Sequence, residues 1–395
     1  MSARGRALLP LVLATVATQS SIVVLAPIMV EIGHDLDASL SQVGLARSVL
    51  AATAVAVSLA IGPLIDRAGV RPLLVAGALF ALAGAGLTAA SPSLIPFYAA
   101  HVVTGVGVAC LLSAGFAGVP AYFGAEQAAW AVGWVVGSQS VAWIAGNPLI
   151  GLLAEGGSWR LAYLVPAAIA GLALAAALLA PRGRRSADAD GAGDGLAAVF
   201  RDPSARRWSG AELVAYSAWT AELTYAGAFY IENYGVDESE VGFLLSVGSI
   251  VFLVVSTNTA RLTERIPRKA LIVVSALLMG AILVPVLNLT PSVWFTLGLF
   301  CAMATFAALR STAASALGLA QLPGRPGAMM GARTASSQLG YMIGAAAGGG
   351  VLALADFGAL GFVLFAGMAI SAILITRVHD PLAEPVLRVP EPVPD

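Results

Sequence analysis

The chain has 395 residues, of which 58% are hydrophobic and only 11% charged, and its formal net charge is −1. Soluble domains carry about 25% charged residues, so this chain has too little polar surface to cover a water-soluble globule. The balanced charge gives no reason to expect a nucleic acid partner, and the two cysteines and three histidines form neither a disulfide framework nor a metal motif. The composition indicates an integral membrane protein whose main partner is the lipid bilayer, with no cofactor and no metal.

Twelve apolar segments follow one another along the chain, each close to the ~20 residues that a membrane-spanning helix needs. They lie at 8–30, 42–65, 71–90, 94–118, 127–154, 161–180, 209–231, 239–260, 270–288, 292–320, 327–354 and 357–377. We expect two six-helix bundles, at 1–180 and 209–379. A cytoplasmic linker at 181–208 would join them, and a cytoplasmic tail at 380–395 would follow.

Basic residues lie almost entirely on one side of this topology. All but four of the 21 Lys and Arg fall at the termini or in the connections after segments 2, 4, 6, 8 and 10. The other connections carry acidic residues and a single arginine, Arg160. The positive-inside rule therefore predicts a multi-pass protein of the cell membrane with both termini in the cytoplasm.

The second half of the chain repeats features of the first. Residues 260–269 resemble residues 62–71 at an offset of 198 residues. The same offset relates Gly133 to Gly331, Ser138 to Ser336, Gly146 to Gly344 and Gly151 to Gly349. A repeat of six segments keeps the same topology, so the predicted fold is an all-α membrane protein of twelve transmembrane helices in two six-helix parallel repeats. A substrate site is expected near the midplane, between the repeats.

The connection after segment 2 reads GPLIDRAGVRP, and its degenerate copy after segment 8 reads ARLTERIPRK. The candidate gating residues are Gly62, Asp66, Arg67, Gly69 and Arg71, with Glu264 and Arg265 in the copy. Gly69 permits a tight turn. Asp66 can bind the N-terminus of a neighbouring helix in one conformation only, which would bias the equilibrium between two states. The alternative is that these charges only orient the loop.

Segment 5 contains Asn147 and Pro148, followed by Gly151 and preceded by Gly137 and Gly146. Pro148 removes an intrahelical hydrogen bond and should bend the helix. The glycines would allow a neighbouring helix to approach closely. Simple helix packing explains any one of these glycines equally well.

These motifs resemble those of the major facilitator superfamily. GPLIDRAGVRP is similar to its loop signature Gly-x-Leu-x-Asp-Arg-x-Gly-x-Arg, and Ser158-Trp159-Arg160 before segment 6 is a further shared feature. Asn147-Pro148-x2-Gly151 is similar to the end of its antiporter helix 5 motif, with Asn147 in place of a glycine. The overall pattern resembles the twelve-helix drug or metabolite:proton antiporters. The resemblance implies the major facilitator fold, a cytoplasmic gate lock at Asp66, and a cavity lined by segments 1, 4, 7 and 10.

Three ionisable residues inside the spans are the candidates for proton coupling. A charge at the centre of a span costs ~2.5–3.5 kcal/mol, so it usually faces a cavity or a partner. Glu222 lies in segment 7 and Arg310 in segment 10, while His101 occupies the position where the family has an arginine in segment 4. The alternatives are a structural ion pair between Glu222 and Arg310 and a histidine bonded to a neighbouring helix.

Other polar and aromatic residues of the spans are candidates for the substrate cavity. They are Trp219, Tyr225 and Phe229 on the Glu222 face of segment 7, with the amides Gln19, Gln139 and Gln338. Glu212 is expected to lie at the membrane–water interface, the alternative being an acid that relays protons. Arg47 and Arg333 are expected to reach the membrane surface from the span ends.

The sequence predicts a monomeric secondary transporter that uses protons to export a small, mostly apolar compound by alternating access. A proton symporter for the uptake of a sugar or organic acid is the alternative, and a non-transporting membrane sensor or an enzyme is more remote. The chain has no nucleotide-binding Gly-x4-Gly-Lys-Ser/Thr motif to use ATP. It also shows no cluster of catalytic side chains.

Overall fold

The computed structural model describes residues 3–181, 192–263, 266–322 and 326–380. The helices in these ranges are α1 (Ala3–Val23), α2 (Leu25–Asp35), α3 (Leu40–Ala68), α4 (Val70–Ala89), α5 (Leu94–Tyr122), α6 (Ala125–Val141), α7 (Asn147–Glu155), α8 (Trp159–Ala162), α9 (Leu164–Leu178), α10 (Ala192–Arg201), α11 (Pro203–Tyr234), α12 (Glu238–Thr263), α13 (Arg268–Asn288), α14 (Val293–Gln321), α15 (Pro326–Leu354) and α16 (Phe357–Thr376). A π-helical turn at Ala142–Gly146 separates α6 from α7.

Within the described ranges, ten helices are long and apolar enough to cross a membrane. They correspond to ten of the twelve predicted segments. The segment at 127–154 is divided between α6 and α7, which have 17 and 9 residues. The segment at 209–231 lies within α11, whose hydropathy is lowered by Glu212 and Glu222. For these two segments, membrane spanning stays a prediction.

Three predicted spans are interrupted, and each interruption precedes a proline. Pro27 follows the break between α1 and α2, Pro148 follows the π-helical turn, and Pro166 follows the break between α8 and α9. A proline lacks the N–H that would bond to the carbonyl four residues earlier, so the α-helical pattern is lost there. The bend expected at Pro148 takes the form of the π-helical turn.

The two halves have separate apolar cores, one built from α1, α3, α4, α5, α6 and α9 and the other mainly from α11 to α14 and α16. A further cluster joins them, with Val43 and Trp159 from the first half and Tyr225 and Ala228 from the second. We call this end of the molecule the acidic end; it carries the loops at 36–39, 90–93, 156–158, 235–237, 289–292 and 355–356. The opposite end is the basic end.

The chain between the halves packs onto the second half. Val199 of α10 is fully buried, in one cluster with Trp208 of α11 and Met329 of α15. α11 begins at Pro203, ahead of the expected boundary at 209. The first turns of α11 therefore belong to the core of the second half.

Candidate functional site

Glycines let the backbones of the two halves touch at the acidic end. A Cβ at Gly151 of α7 would overlap the backbone of Glu238 on α12. A Cβ at Gly242 of α12 would overlap the backbone of Asn147 on α7. Three residues of the segment 5 motif, Asn147, Pro148 and Gly151, therefore lie in the contact between the halves. Gly137 has open space where a Cβ would be added.

Hydrogen bonds form the same contact twice, at equivalent positions of the repeat. The Ser48 hydroxyl on α3 donates to the Met342 carbonyl on α15 over 2.8 Å. The Ser246 hydroxyl on α12 donates to the Ile144 carbonyl in the π-helical turn. The 198-residue offset relates both the donors and the acceptors of these two bonds. A Cβ added at Gly146, in the same turn, would make only ordinary van der Waals contacts, with Val23 of α1 and Ile150 of α7.

Tyr225 closes the acidic end between α3, α11 and α15. Its hydroxyl donates to the Ala345 carbonyl over 2.9 Å. Its side chain fills the space in front of Gly44 and Gly349, and only 1% of the residue is exposed. This residue was expected to line a cavity; the structure places it in the contact between the halves.

Gln19 and Gln139 meet in the first half, between α1 and α6. The Gln19 Nε2 donates to the Gln139 Oε1 over 3.2 Å, and the Trp143 indole donates to the Gln19 Oε1 over 3.0 Å. Gln139 and Trp143 are only half-buried. Trp143 was not among the predicted cavity residues, although it follows Gln139 by one helical turn. The three side chains can hydrogen-bond an uncharged polar group.

Arg310 pairs with Glu212 in the interior of the second half. The two side chains approach to 2.5 Å and are 2% and 0% exposed, and Arg310 also donates to the Ser371 hydroxyl over 3.3 Å. The expectation that Glu212 lies at the membrane–water interface is wrong, because α11 begins at Pro203 and holds Glu212 between α14 and α16. Arg310 therefore does not form the alternative ion pair with Glu222.

Glu222 lies on the core side of α11. Only 3% of it is exposed, and its Oε2 has no hydrogen-bond partner among the described residues. Ala218, Ala226 and Phe229, on the same side of α11, belong to the apolar core of the second half. Ten residues of helix separate Glu222 from Glu212 by ~15 Å. Glu222 is thus a titratable group in apolar surroundings.

A group of two arginines and two tyrosines lies between α3, α11 and α15. The Arg47 guanidinium is 5.6 Å from the centre of the Tyr341 ring, and the Arg333 guanidinium is 5.8 Å from that of Tyr216. The two rings pack edge to face at 6.3 Å. Arg47 is 3% exposed, so the expectation that it reaches the membrane surface is wrong. The packing of α3 against α15 buries it.

The remaining cavity and coupling candidates lie in separate places. Trp219 packs edge to face on Phe252 of α12 at 5.2 Å, and Gln338 is buried on α15. His101 is buried on α5, where its Nδ1 lies 2.8 Å from the Phe97 carbonyl of the same helix. The structure therefore does not bring His101 together with Glu222 and Arg310.

The connection between α3 and α4 turns at Gly69, as expected. Its φ of +85° favours glycine because a side chain would be strained there. Arg67 is exposed, and Arg71 donates to the Leu178 carbonyl at the end of α9 over 2.6 Å. Other members of the gating motif lie outside what the structure describes: the side chain of Asp66, the surroundings of Gly62, and the residues Glu264 and Arg265.

A family model described as Major Facilitator Superfamily matches residues 11–231 and 208–395. The chain belongs to the major facilitator superfamily. This membership confirms the predicted all-α membrane fold with two repeated halves. Major facilitator proteins are membrane transporters of small molecules and are generally carriers rather than enzymes.

The chain is also similar to individual transport proteins. A stretch of 155 residues is 30% identical to the multidrug resistance protein MdtM of Salmonella typhimurium (strain LT2); it covers 39% of this chain and 37% of that relative. A bacterial homolog of the human lysosomal transporter Spinster, in an inward-facing and unoccupied conformation, has a TM-score of 0.77 over 95% of both chains at 16% identity. A D-xylose-proton symporter has a TM-score of 0.77 over 95% of this chain and 98% of that chain at 14% identity. At these identities the similarity of this chain to the two structures shows a common fold and nothing further.

Proposed function

We propose that this major facilitator transporter exports a small, mostly apolar compound in exchange for protons. The observation that carries the proton coupling is Glu222, a titratable side chain that is 3% exposed and whose Oε2 is unpaired among the described residues. An unpaired charge at the centre of a span costs ~2.5–3.5 kcal/mol. A conformational change that brings water to Glu222 changes this cost, and proton binding is thereby coupled to conformation. Arg310, through Glu212, and His101 are secondary coupling candidates.

The contact at the acidic end supports alternating access. The distribution of basic residues favours an orientation with both termini in the cytoplasm and the acidic end outside. In this orientation the contact at the acidic end would close the external side, and the site between the halves would be reached from the cytoplasm. Rocking of the halves would separate Gly151 from Glu238, and the connection at Asp66 would then lock the cytoplasmic side.

We propose that the direction of transport is export. This direction is supported by the segment 5 motif and by the partial similarity to a multidrug resistance protein. The alternative, a proton symporter for the uptake of a sugar or organic acid, is favoured by the cluster of Gln19, Gln139 and Trp143, because sugars need several hydrogen-bond partners. In vesicles of known orientation, an antiporter accumulates substrate on the side from which protons leave, and a symporter accumulates it on the side that protons enter.

The test uses the full chain in proteoliposomes, with a panel of small compounds and Glu222→Gln beside the parent protein. We expect the variant to lose accumulation driven by a proton gradient while substrate exchange without a gradient continues. Glu232→Gln changes an exposed carboxyl group at the end of the same helix and serves as the matched control. If Glu222→Gln still concentrates substrate as the parent does, Glu222 is not the coupling residue.

A further inference from the structure

A buried arginine lies where the two halves meet. Arg47 is 3% exposed, and its Nε, Nη1 and Nη2 have no hydrogen-bond partner among the described residues. On the same helix, Gly44 touches Tyr225 and Ser48 bonds to Met342, so residues on both sides of Arg47 are in contact with the second half. A guanidinium group carries five N–H donors and remains charged in proteins. Arg47 therefore holds a charge and a full set of donors that this conformation leaves unused.

A second arginine, Arg333 of the other half, lies over the ring of Tyr216, which packs on the ring of Tyr341. The Arg333 Nη2 donates to the Tyr216 hydroxyl over 2.9 Å and to the Ser311 hydroxyl over 3.2 Å, while its Nε is unpaired among the described residues. The Tyr341 ring lies 5.6 Å from the Arg47 guanidinium and 6.3 Å from the ring of Tyr216. Arg333, Tyr216, Tyr341 and Ser311 are only half-buried. The group is therefore not closed off as the core of a half is.

The charge of Arg47 has no counterpart among the described carboxylates of the spans. Glu212 is already paired with Arg310. Glu222 lies on the core side of α11, among the apolar residues of the second half. The Tyr341 ring compensates part of the cost of burying the cation, but it accepts no hydrogen bond in the plane of the guanidinium group. A buried ionisable residue of this kind in a span marks a ligand or ion site by default.

We propose that Arg47 binds a negatively charged group of the transported compound, which is therefore a small organic anion. The planar donors of a guanidinium group match carboxylate, phosphate and sulfonate oxygens. The rings of Tyr341 and Tyr216 offer apolar surface for the rest of the compound, and Arg333 provides a second cation from the opposite half. The bound anion links the two halves. This inference rests on the transport function proposed above and adds an anionic group to its mostly apolar compound.

The test measures the melting temperature of the purified full chain in lipid nanodiscs, with and without added compounds. The probes are benzoate, phenylphosphonate and benzenesulfonate, with benzamide and benzylamine as neutral and cationic counterparts. We expect at least one anion, and neither counterpart, to raise the melting temperature. Arg47→Met should weaken anion binding by about tenfold or more, because a charged partner is lost. It should also raise the melting temperature without ligand, because an unpaired buried charge is removed.

Arg206→Met serves as the matched control, because Arg206 is an exposed arginine on α11. Its anion response should equal that of the parent. Equal stabilisation by benzamide and benzoate, no stabilisation by any anion, or an unchanged anion response in Arg47→Met would each overturn the inference. If Arg47→Met does not fold, Arg47→Lys decides instead: it keeps the charge but not the planar donors, and an unchanged anion affinity would reject the assignment.

The binding assay contains no proton gradient, so its result is independent of the Glu222→Gln experiment. Anion binding through Arg47 without proton-driven flux would reject the proton-coupled exporter and leave the anion site in place. Proton-driven export of neutral compounds without anion binding would reject the anion site and leave the proton-coupled exporter in place.

Discussion

The first half of the chain, up to α9, and the second half, from α11, meet through equivalent positions of the repeat. The bond from Ser48 to Met342 has its counterpart in the bond from Ser246 to Ile144. Each pair joins one half to the other at the acidic end. The contact that closes the molecule there is therefore nearly symmetric, as expected for two parallel copies rocking against each other.

The interiors of the two halves do not share this symmetry. The second half buries Glu212, Glu222 and Arg310 on α11 and α14. The counterparts of these residues in the first half are all apolar: Ala14 for Glu212, Val24 for Glu222 and Leu112 for Arg310. At the interface, Arg47 likewise corresponds to Leu245. Symmetric positions form the contact between the halves, while the charges that can bind protons or ligands lie where the symmetry fails.

The largest expected effect comes from Arg310→Leu, which changes the buried ion pair of the second half. The variant introduces the leucine that the first half has at the equivalent position and leaves the Glu212 carboxylate buried without its partner. Removing one member of a buried pair lowers the free energy of unfolding by about 3–5 kcal/mol. Denaturant unfolding of the purified protein, followed by tryptophan fluorescence, measures this loss.

The double variant Glu212→Ala/Arg310→Leu carries both first-half residues. We expect it to recover most of the stability, because replacing a whole buried ion pair by apolar residues is often neutral or stabilising. Arg206→Leu, at an exposed position, should change little. A double variant as unstable as Arg310→Leu alone would mean that these side chains stabilise the second half by packing and not by compensating each other.

An intermediate effect is expected from the glycines that close the acidic end. Gly151→Ala places a Cβ onto the backbone of Glu238, which cannot move away without separating the halves. Overpacking of about 1–3 kcal/mol against the closed contact would raise the population open at the acidic end by roughly 5–150-fold. Spin labels on cysteines introduced at Glu155 and Glu232, in a background without native cysteines, would report the longer distance.

Gly349 is the repeat equivalent of Gly151, and Gly349→Ala tests whether the two equivalent contacts hold the acidic end closed equally strongly. Its Cβ would lie 2.5 Å from the Tyr225 hydroxyl and no closer than 3.3 Å to the backbone of Ser41, whereas a Cβ at Gly151 overlaps backbone atoms. We therefore expect a smaller shift than for Gly151→Ala. Gly86→Ala on α4 is the control, since nothing lies within 4 Å of its Cβ position. Distances that stay at the parent value in Gly151→Ala would show that this contact does not hold the acidic end closed.

Features that depend on order along the chain could be predicted from the sequence. The repeat offset, the turn at Gly69 and the interruption at Pro148 follow from residue types and spacing. The partner of Arg310 could not be predicted, because sequence gives the depth of a residue along a helix but not the rotation of that helix towards its neighbours. For this reason Glu212 was expected at the membrane–water interface. Arg47 was expected at the membrane surface for a related reason, since only the packing of α3 against α15 buries it.

The smallest expected effect concerns a loop network that only the first half has. At the acidic end, Asp35 accepts hydrogen bonds from Arg160 over 2.7 Å and from the Trp159 indole over 3.1 Å. The counterparts of these residues in the second half cannot form such a pair: Asn233 for Asp35, Phe357 for Trp159 and Gly358 for Arg160. The network gives the Ser158-Trp159-Arg160 motif a structural role that belongs to one half.

Asp35→Asn would make this loop resemble its second-half counterpart. Both side chains of the pair are more than a third exposed, at 35% and 42%, so solvent screening limits the expected loss to about 0.2–1 kcal/mol. The hydrogen bond and charge of Arg160 hold the pKa of Asp35 below its usual value. Because the folded-state pKa is lowered, the stabilisation is complete at pH 7 and is lost as the pH falls through that lowered pKa, below about 4. The melting temperatures of the parent and the variant should therefore differ at neutral pH and converge in acid or in high salt. A difference that does not depend on pH and salt would assign the effect to the shape of the loop and not to the ion pair.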